Sequence, residues 1–180
     1  MPLLNAARAR LVVIDVQTRL MPAIHEAAPL LANIRRLADG AGLLEIPLLL
    51  TEQNPAGLGP TVPELAGAGP VVAKMSFDAS AEPAFLEALA GAREADGEIV
   101  LCGCEAHVCV GQTALGLAAL GYRVVVVEDA IGSRVIQTKD AALRRLLHHG
   151  IEVVTTEMVL FEWLRSAAHP RFREMARLIR

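Results

Sequence analysis

The chain has 180 residues, of which 53% are hydrophobic and 21% are charged, and its 17 basic and 20 acidic residues give a net charge of −3. This length is close to that of one average domain, so we expect residues 1–180 to form a single domain with a sizeable core. Because there is no basic excess and aromatic residues make up only 3%, the composition argues against a nucleic-acid partner.

Hydropathy and cysteine content bear on the cellular compartment. The mean hydropathy is +0.42, but no run reaches the roughly 18 uninterrupted apolar residues that a membrane-spanning helix needs. The start of the chain lacks the basic and then apolar pattern of a secretory signal. Three cysteines, an odd number, argue against a disulfide scaffold. We therefore expect a cytoplasmic protein with no membrane partner.

Short apolar runs divide the chain into segments. Most of these runs are continuously apolar instead of alternating, which is typical of parallel strands buried on both faces. The six predicted strands are Leu11–Val16, Pro47–Thr51, Val71–Ala73, Glu98–Cys102, Arg123–Val127 and Glu152–Thr155.

Amphipathic helical segments lie between these strands, with apolar residues three or four positions apart. They are marked by Leu30–Leu44, Phe85–Leu89, Leu115–Leu120 and Leu143–Leu147. The alternation predicts an α/β fold, a three-layer doubly wound sandwich around a mainly parallel six-stranded sheet. The Pro- and Gly-rich stretch Glu52–Pro63 is predicted to be a loop at the carboxyl end of a strand, where open α/β sheets bind ligands.

Asp15 is the first candidate for chemistry, since it is an acidic residue in an otherwise apolar strand. A carboxylate is costly to bury there unless it is paired or lies at a solvated site. The structural alternative is a strand-end residue that caps a loop or pairs with an arginine. No glycine-rich turn follows, which excludes a nucleotide-binding motif. Gln17 stands where a metal-dependent phosphatase would have a second aspartate.

Cys109 lies where the fourth predicted strand passes through a short loop into a helical pattern. A thiol at a helix N-terminus is close to unpaired N–H groups, which favour its thiolate and can also hold an oxyanion. The structural alternative is a buried core cysteine, which is the interpretation we favour for Cys102. The spacing of Cys102, Cys104 and Cys109 does not match zinc or thioredoxin motifs.

Lys74 ends a short strand and is expected at the same edge of the sheet as Asp15 and the loop before Cys109. A lysine in such a place is ordinarily a solvated surface residue. If the three side chains converge, the lysine stabilises a thiolate and the carboxylate accepts and returns the proton. The histidines do not form a metal site on spacing alone. His107, in the loop before Cys109, is a candidate base, although the interpretation we favour is a solvent-facing or supporting role.

Several sequence motifs occur together along nearly the whole chain. They are LVVIDVQ around Asp15, TEQNPAGLGPTVPEL from Thr51, AKMSFDA around Lys74, GCEAHVCVGQTALGL around Cys109, VEDAIGSR around Glu128 and the tail HPRFREMARLIR. In this order they resemble the isochorismatase-like cysteine hydrolase superfamily. The second motif and the last are similar to its subgroup of isochorismatase domain-containing proteins. The family's parallel sheet flanked by helices agrees with the predicted alternation.

The resemblance implies a catalytic triad of Asp15, Lys74 and Cys109 that hydrolyses a carboxamide-type C–N bond through a thioester. It also implies an oxyanion hole made by the main-chain N–H groups of Glu105 and Cys109, with a cis peptide bond between Cys104 and Glu105. Candidate substrate-binding residues are Gln17, Gln53, Phe77 and His107.

Two departures from related families narrow the expected activity. Nicotinamidases carry an Asp-x-His metal motif after the second strand, where this chain has Glu52, Gln53 and Asn54, so we expect no metal and no cofactor. True isochorismatases often lack the cysteine, and the presence of Cys109 favours hydrolysis of a small-molecule carboxamide. Two alternatives stay open: a vinyl-ether hydrolase that uses Asp15 as its acid, and a non-catalytic oligomeric scaffold. The family resemblance also implies a homo-oligomer.

Overall fold

A six-stranded sheet forms the centre of the computed structural model, which describes residues 3–90 and 97–179. All five pairings between neighbouring strands are parallel, in the order β3-β2-β1-β4-β5-β6. The predicted fold class and the six predicted strands are therefore confirmed. The strands are β1 (Ala9–Ile14), β2 (Leu48–Gln53), β3 (Val71–Lys74), β4 (Glu98–Cys104), β5 (Arg123–Gly132) and β6 (Glu152–Val154).

Helices connect the strands and cover both faces of the sheet. The α-helices of the described ranges are α1 (Ala27–Leu43), α2 (Pro55–Leu58), α3 (Pro83–Ala90), α4 (Gly111–Ala119), α5 (Ile136–His148), α6 (Thr156–Leu164) and α7 (Phe172–Leu178). Shorter helical turns are the 3-10 turns Met21–Ala23, Pro63–Leu65 and Ala79–Ala81 and the π-helical turn Ala106–Val110, which runs directly into α4.

The core consists of two apolar clusters, one on each face of the sheet. The cluster with α1, α6 and α7 takes Leu11 and Val13 from β1, and the cluster with α3, α4 and α5 takes Val12 and Ile14. These four side chains are at most 1% exposed, which explains why the strand is continuously apolar. No helix within residues 3–90 and 97–179 is long and apolar enough to cross a membrane.

The ends of the first two strands differ from the predictions. β1 stops at Ile14, because Asp15 adopts a left-handed backbone conformation with φ 50° and leaves the ladder. β2 continues through Gln53, so the first two residues of the predicted loop Glu52–Pro63 belong to a strand. The extension is held by the side-chain amide of Gln17, which bonds to both main-chain polar groups of Gln53.

The strand order reverses direction between β1 and β4, and this point positions the site. In open α/β sheets, ligands bind in the crevice outside the carboxyl ends of the strands at such a reversal. Gly103 of β4 has φ +114°, and a Cβ atom there would lie 2.1 Å from the carbonyl oxygen of Ile14. Glycine therefore permits the close approach of β4 to β1 at the point where both strands end, just before Asp15 and Glu105.

Candidate active site

A buried ion pair lies at the carboxyl edge of the sheet. Lys74 Nζ is 2.8 Å from Asp15 Oδ2, and both side chains are 0% exposed. Asp15 directly follows β1, and Lys74 is the last residue of β3, so β2 lies between them. Thr51 of β2 donates its hydroxyl to Asp15 Oδ1 at 2.6 Å. Both carboxylate oxygens thus accept hydrogen bonds, as a buried ionised carboxylate requires.

The ammonium of Lys74 has an acceptor for each of its three N–H donors. Besides Asp15, it donates to Gln53 Oε1 at 2.7 Å and to the carbonyl oxygen of Ser76 at 3.3 Å. Gln53 and Lys74 are direct neighbours in the register of β2 and β3. Such a set of acceptors replaces the water that a fully buried ammonium group loses.

The Cys109 thiol completes the cluster. It lies in the π-helical turn before α4, is 6% exposed, and is near enough to Asp15 and Lys74 for the charges of both to act on it. The structure therefore brings together the acidic, basic and sulfur-bearing side chains that the sequence placed at one edge of the sheet. Their catalytic roles stay a prediction.

The ionisation of Cys109 differs from the expectation of a favoured thiolate. Burial, together with the negative charge of Asp15, raises the pKa of Cys109 from 9.0 to about 12, although Lys74 acts in the opposite direction. The helical turn also begins at Ala106, so the thiol is not in the first position of the helix. In this structure the thiol therefore keeps its proton at neutral pH.

The residues before Cys109 form a tightly held turn. The peptide bond between Cys104 and Glu105 is cis, as the family resemblance implies. The carbonyl oxygen of Glu105 accepts from the N–H groups of Val108 and Val110, at 3.0 and 3.2 Å. Its carboxylate accepts from the main-chain N–H and from Nε of an arginine that follows β5, Arg134. The oxyanion hole predicted at Glu105 and Cys109 is untested and stays a prediction.

The four candidate substrate-binding residues fall into two groups. Gln17 and Gln53 are buried, and their amides bond to the protein itself: Gln17 Nε2 donates to the carbonyl oxygens of Gln53 and Gly59, and Gln53 Nε2 donates to that of Met75. These bonds make both residues part of the framework of the site.

Phe77 and His107 are exposed instead. Phe77 is 52% exposed and lies three positions after Lys74, and His107 Nδ1 is 2.9 Å from Ser133 Oγ. Their contact with a substrate remains a prediction.

Thr51 is the residue of the site that the sequence analysis missed. It was predicted only as the last residue of an apolar strand, yet its hydroxyl binds Asp15. Its position could have indicated this role, because Thr51 is a polar residue at the end of an apolar strand. Within the described part of the chain, no three His, Cys, Asp or Glu side chains are grouped as a metal site would need; that no metal binds stays a prediction.

The sequence matches a known family over most of its length. Residues 9–158 match the Isochorismatase domain family. Isochorismatase domain-containing protein 2 of Danio rerio is 36% identical over 170 residues, which are 94% of this chain and 85% of that protein. This chain spans 59% of isochorismatase domain-containing protein 1 of Salmo salar and of Danio rerio, which are longer.

Solved structures share the whole fold. The structure of MAR1 ribonuclease from Caenorhabditis elegans has a TM-score of 0.91 and 32% identity, with 99% of this chain and 92% of that chain covered. The YcaC gene product of Escherichia coli, described as an octameric hydrolase of unknown specificity, has a TM-score of 0.93 and 26% identity, with 99% and 90% covered. Together these matches define an isochorismatase-like hydrolase. The chain belongs to the isochorismatase family, which confirms the resemblance drawn from its motifs.

Proposed function

We propose that this protein is a cysteine hydrolase that cleaves the C–N bond of a small carboxamide through a thioester on Cys109. The observation that carries the proposal is the buried Asp15–Lys74 pair, whose two charges both act on the Cys109 thiol. A nucleophile becomes effective when a neighbouring base takes its proton and a cation stabilises its anion. Asp15 and Lys74 are suited to these two tasks.

The first half of the reaction transfers the acyl group to sulfur. Asp15 accepts the thiol proton while Cys109 Sγ attacks the carboxamide carbon. The oxygen that becomes negative accepts hydrogen bonds from the N–H groups of Glu105 and Cys109. The C–N bond then breaks as Asp15 returns the proton to the departing nitrogen, which leaves as ammonia or an amine.

The second half regenerates the enzyme. A water molecule gives a proton to Asp15 and attacks the thioester carbon, and the C–S bond breaks. The proton returns to the sulfur of Cys109, and a carboxylic acid leaves the site. Lys74 stays paired with Asp15 and keeps the carboxylate oriented toward the thiol throughout.

The state of Asp15 favours this chemistry over the vinyl-ether alternative. A vinyl-ether hydrolase would use Asp15 as an acid, which needs a protonated carboxyl group at rest. The carboxylate instead lies 2.8 Å from an ammonium group and accepts a second hydrogen bond from Thr51. Both carboxylate oxygens thus face donors, an arrangement that suits a base better than an acid. The neutral thiol supplies the proton for it to accept.

The test is hydrolysis by the purified protein of a broad panel of amides, imides and thioesters, with vinyl ethers included for the alternative. Released ammonia or amine reports turnover, and mass spectrometry after rapid acid quenching detects an acyl adduct on Cys109. Cys109→Ala is expected to remove both signals. Cys102→Ala, which removes a sulfur fully buried in β4, is the matched control and is expected to keep them. An unchanged rate in Cys109→Ala would contradict the proposal, and surviving vinyl-ether hydrolysis in it would favour the alternative.

Two further outcomes concern partners. We include single-stranded RNA in the panel, because the C. elegans relative is described as a ribonuclease, and we expect no cleavage because this chain has a net charge of −3. We also propose that the protein self-associates, since the E. coli relative is described as octameric. Light scattering after size-exclusion chromatography measures the mass, and a monomer would contradict this.

A further inference from the structure

The side chain of Gln53 bridges two polar groups beside the triad. Its Oε1 accepts from Lys74 Nζ at 2.7 Å, and its Nε2 donates to the carbonyl oxygen of Met75 at 2.8 Å. Because the donor half of the amide is engaged with a carbonyl, the oxygen is the half that faces the lysine. The backbone N–H of Gln53 also donates to Gln17 Oε1. Backbone and side chain are therefore both fixed.

The acceptors around Lys74 differ in charge. Asp15 is a carboxylate, whereas the amide of Gln53 and the carbonyl of Ser76 are neutral. Glu82, whose side chain is half-buried, also interacts with the charge of Lys74 through space. Glutamate has the shape of glutamine, so a carboxylate at position 53 would keep the contact with the ammonium as a second, direct ion pair, although it would lose the bond to the carbonyl oxygen of Met75.

The charge of Lys74 has a specific use in this cluster. Burial and the negative charge of Asp15 both raise the pKa of the Cys109 thiol, whereas the positive charge of Lys74 lowers it. A second carboxylate in contact with Nζ would cancel that effect, because its negative charge would act on the same buried thiol. The neutral amide oxygen accepts the same hydrogen bond from the ammonium that a carboxylate would accept. It adds no negative charge, so the positive charge of Lys74 still stabilises the thiolate of Cys109.

We propose that Gln53 is a positioning residue whose neutral amide holds Lys74 in place and leaves the ammonium's charge to act on Cys109. The catalytic meaning of this inference rests on the proposed function. Its test does not, because the reactivity of the thiol can be measured with iodoacetamide and without any substrate.

The experiment compares Gln53→Glu with the unaltered protein. The rate at which iodoacetamide labels Cys109 is followed by peptide mass spectrometry, with Cys109→Ala as the blank. We expect Gln53→Glu to label at least about tenfold more slowly, because a rise of one pKa unit lowers the thiolate fraction tenfold. Thermal unfolding monitored by circular dichroism establishes that each variant is folded.

Two control variants test whether the charge added at position 53 causes the slowing. One changes the side chain at position 53 without adding charge, and the other changes a charge at a neighbouring position. Gln53→Met removes the acceptor without adding charge. Lys74 keeps its bonds to Asp15 and to the carbonyl oxygen of Ser76, so we expect the labelling rate to fall by no more than about threefold. Glu52→Gln removes a charge one residue away, from a carboxylate that binds the N–H and hydroxyl of Thr61, and is expected to change nothing.

Three outcomes would overturn the inference. The first is a folded Gln53→Glu variant in which Cys109 is labelled at the original rate. The second is a Gln53→Met variant in which labelling is slowed as much as in Gln53→Glu. The third is a Glu52→Gln variant in which labelling is accelerated by the same factor by which Gln53→Glu slows it. If Gln53→Glu does not fold, Gln53→Met still tests the inference, because a tenfold slowing there would show that loss of the acceptor, without any added charge, is enough to suppress the thiolate. A protein that labels at Cys109 but hydrolyses no amide would contradict the proposed function and leave this comparison valid.

Discussion

The two edges of the sheet each carry a cation held by acidic side chains, and they use it differently. At the amino edge, Arg123 of β5 lies 2.8 Å from Glu98 of β4 and 2.8 Å from Glu152 of β6. At the carboxyl edge, Lys74 contacts one carboxylate, Asp15, and two neutral oxygens. Two carboxylates share the arginine, whereas one carboxylate and a thiol share the lysine.

This difference separates a cation that ties strands together from one that can act on a nucleophile. The planar guanidinium of Arg123 has donors directed at several acceptors, and it joins the first residues of three adjacent strands. Lysine is a compact point charge, and Lys74 is completely buried beside Cys109. The carboxyl edge, where the cation has one carboxylate instead of two, is therefore the edge at which the proposed function places the reaction.

The strongest test of the reactive edge is Asp15→Asn. Loss of the proposed base is expected to lower amide hydrolysis by about 10²–10⁴-fold. The same change removes a negative charge that raises the pKa of Cys109. The Cys109 thiolate can then pair with the Lys74 ammonium in place of the Asp15 carboxylate. Labelling by iodoacetamide at neutral pH is therefore expected to become faster. A parallel fall of both rates would show that Asp15 does not oppose ionisation of the thiol.

Removal of each cation in turn compares the two edges directly. Lys74→Met leaves Asp15 buried without its charged partner, and we expect a loss of about 3–5 kcal/mol in the free energy of unfolding and slower labelling of Cys109. Arg123→Met is the matched change at the other edge. Because Glu152 is partly exposed, water can replace part of the lost interaction, so we expect a smaller loss and unchanged labelling.

Urea denaturation and the iodoacetamide rate give both readouts for these variants. Equal labelling rates in Lys74→Met and Arg123→Met would show that the distance from the thiol is irrelevant, and the distinction between the two edges would be lost.

The pH dependence of labelling provides the next test. The pKa of Cys109 is raised to about 12 by burial and by Asp15, so across neutral and mildly alkaline pH the thiol is mostly protonated. Each unit of pH should then raise the labelling rate about tenfold, with no plateau near the ordinary cysteine value of about 8.5. A plateau at that value, unmoved by Lys74→Met, would favour the non-catalytic scaffold.

The sequence was sufficient for the fold and for the three side chains of the cluster. Continuous apolar runs identified the strands, and the carboxyl ends of parallel strands necessarily lie at one edge, so Asp15 and Lys74 were expected there. The ionisation of Cys109 was not predictable from the sequence. Burial raises the pKa of the thiol more than Lys74 lowers it, and the extent of burial is known only from the packing. The roles of Thr51 and Gln53 depend on strand register, which apolar patterns do not specify within a sheet buried on both faces.

Thr51→Val is expected to have the smallest effect and makes the sharpest comparison. Valine keeps the shape of threonine but removes the hydroxyl that donates to Asp15 Oδ1 at 2.6 Å. A hydrogen bond to a charged group contributes about 1.5–3 kcal/mol, so we expect a loss of that size in the free energy of unfolding. Thr156→Val is a matched control, because its hydroxyl donates to Asp129 Oδ1 at 2.9 Å, away from the triad.

Both substitutions should therefore destabilise the protein by similar amounts, but only Thr51→Val should also lower the rate of amide hydrolysis, because its partner is the proposed base. The measurements are urea denaturation and ammonia release at a temperature where both variants are folded. If hydrolysis falls equally in the two variants, the hydroxyl of Thr51 acts through stability alone. If it falls only in Thr51→Val, the orientation of the Asp15 carboxylate limits proton transfer from the thiol.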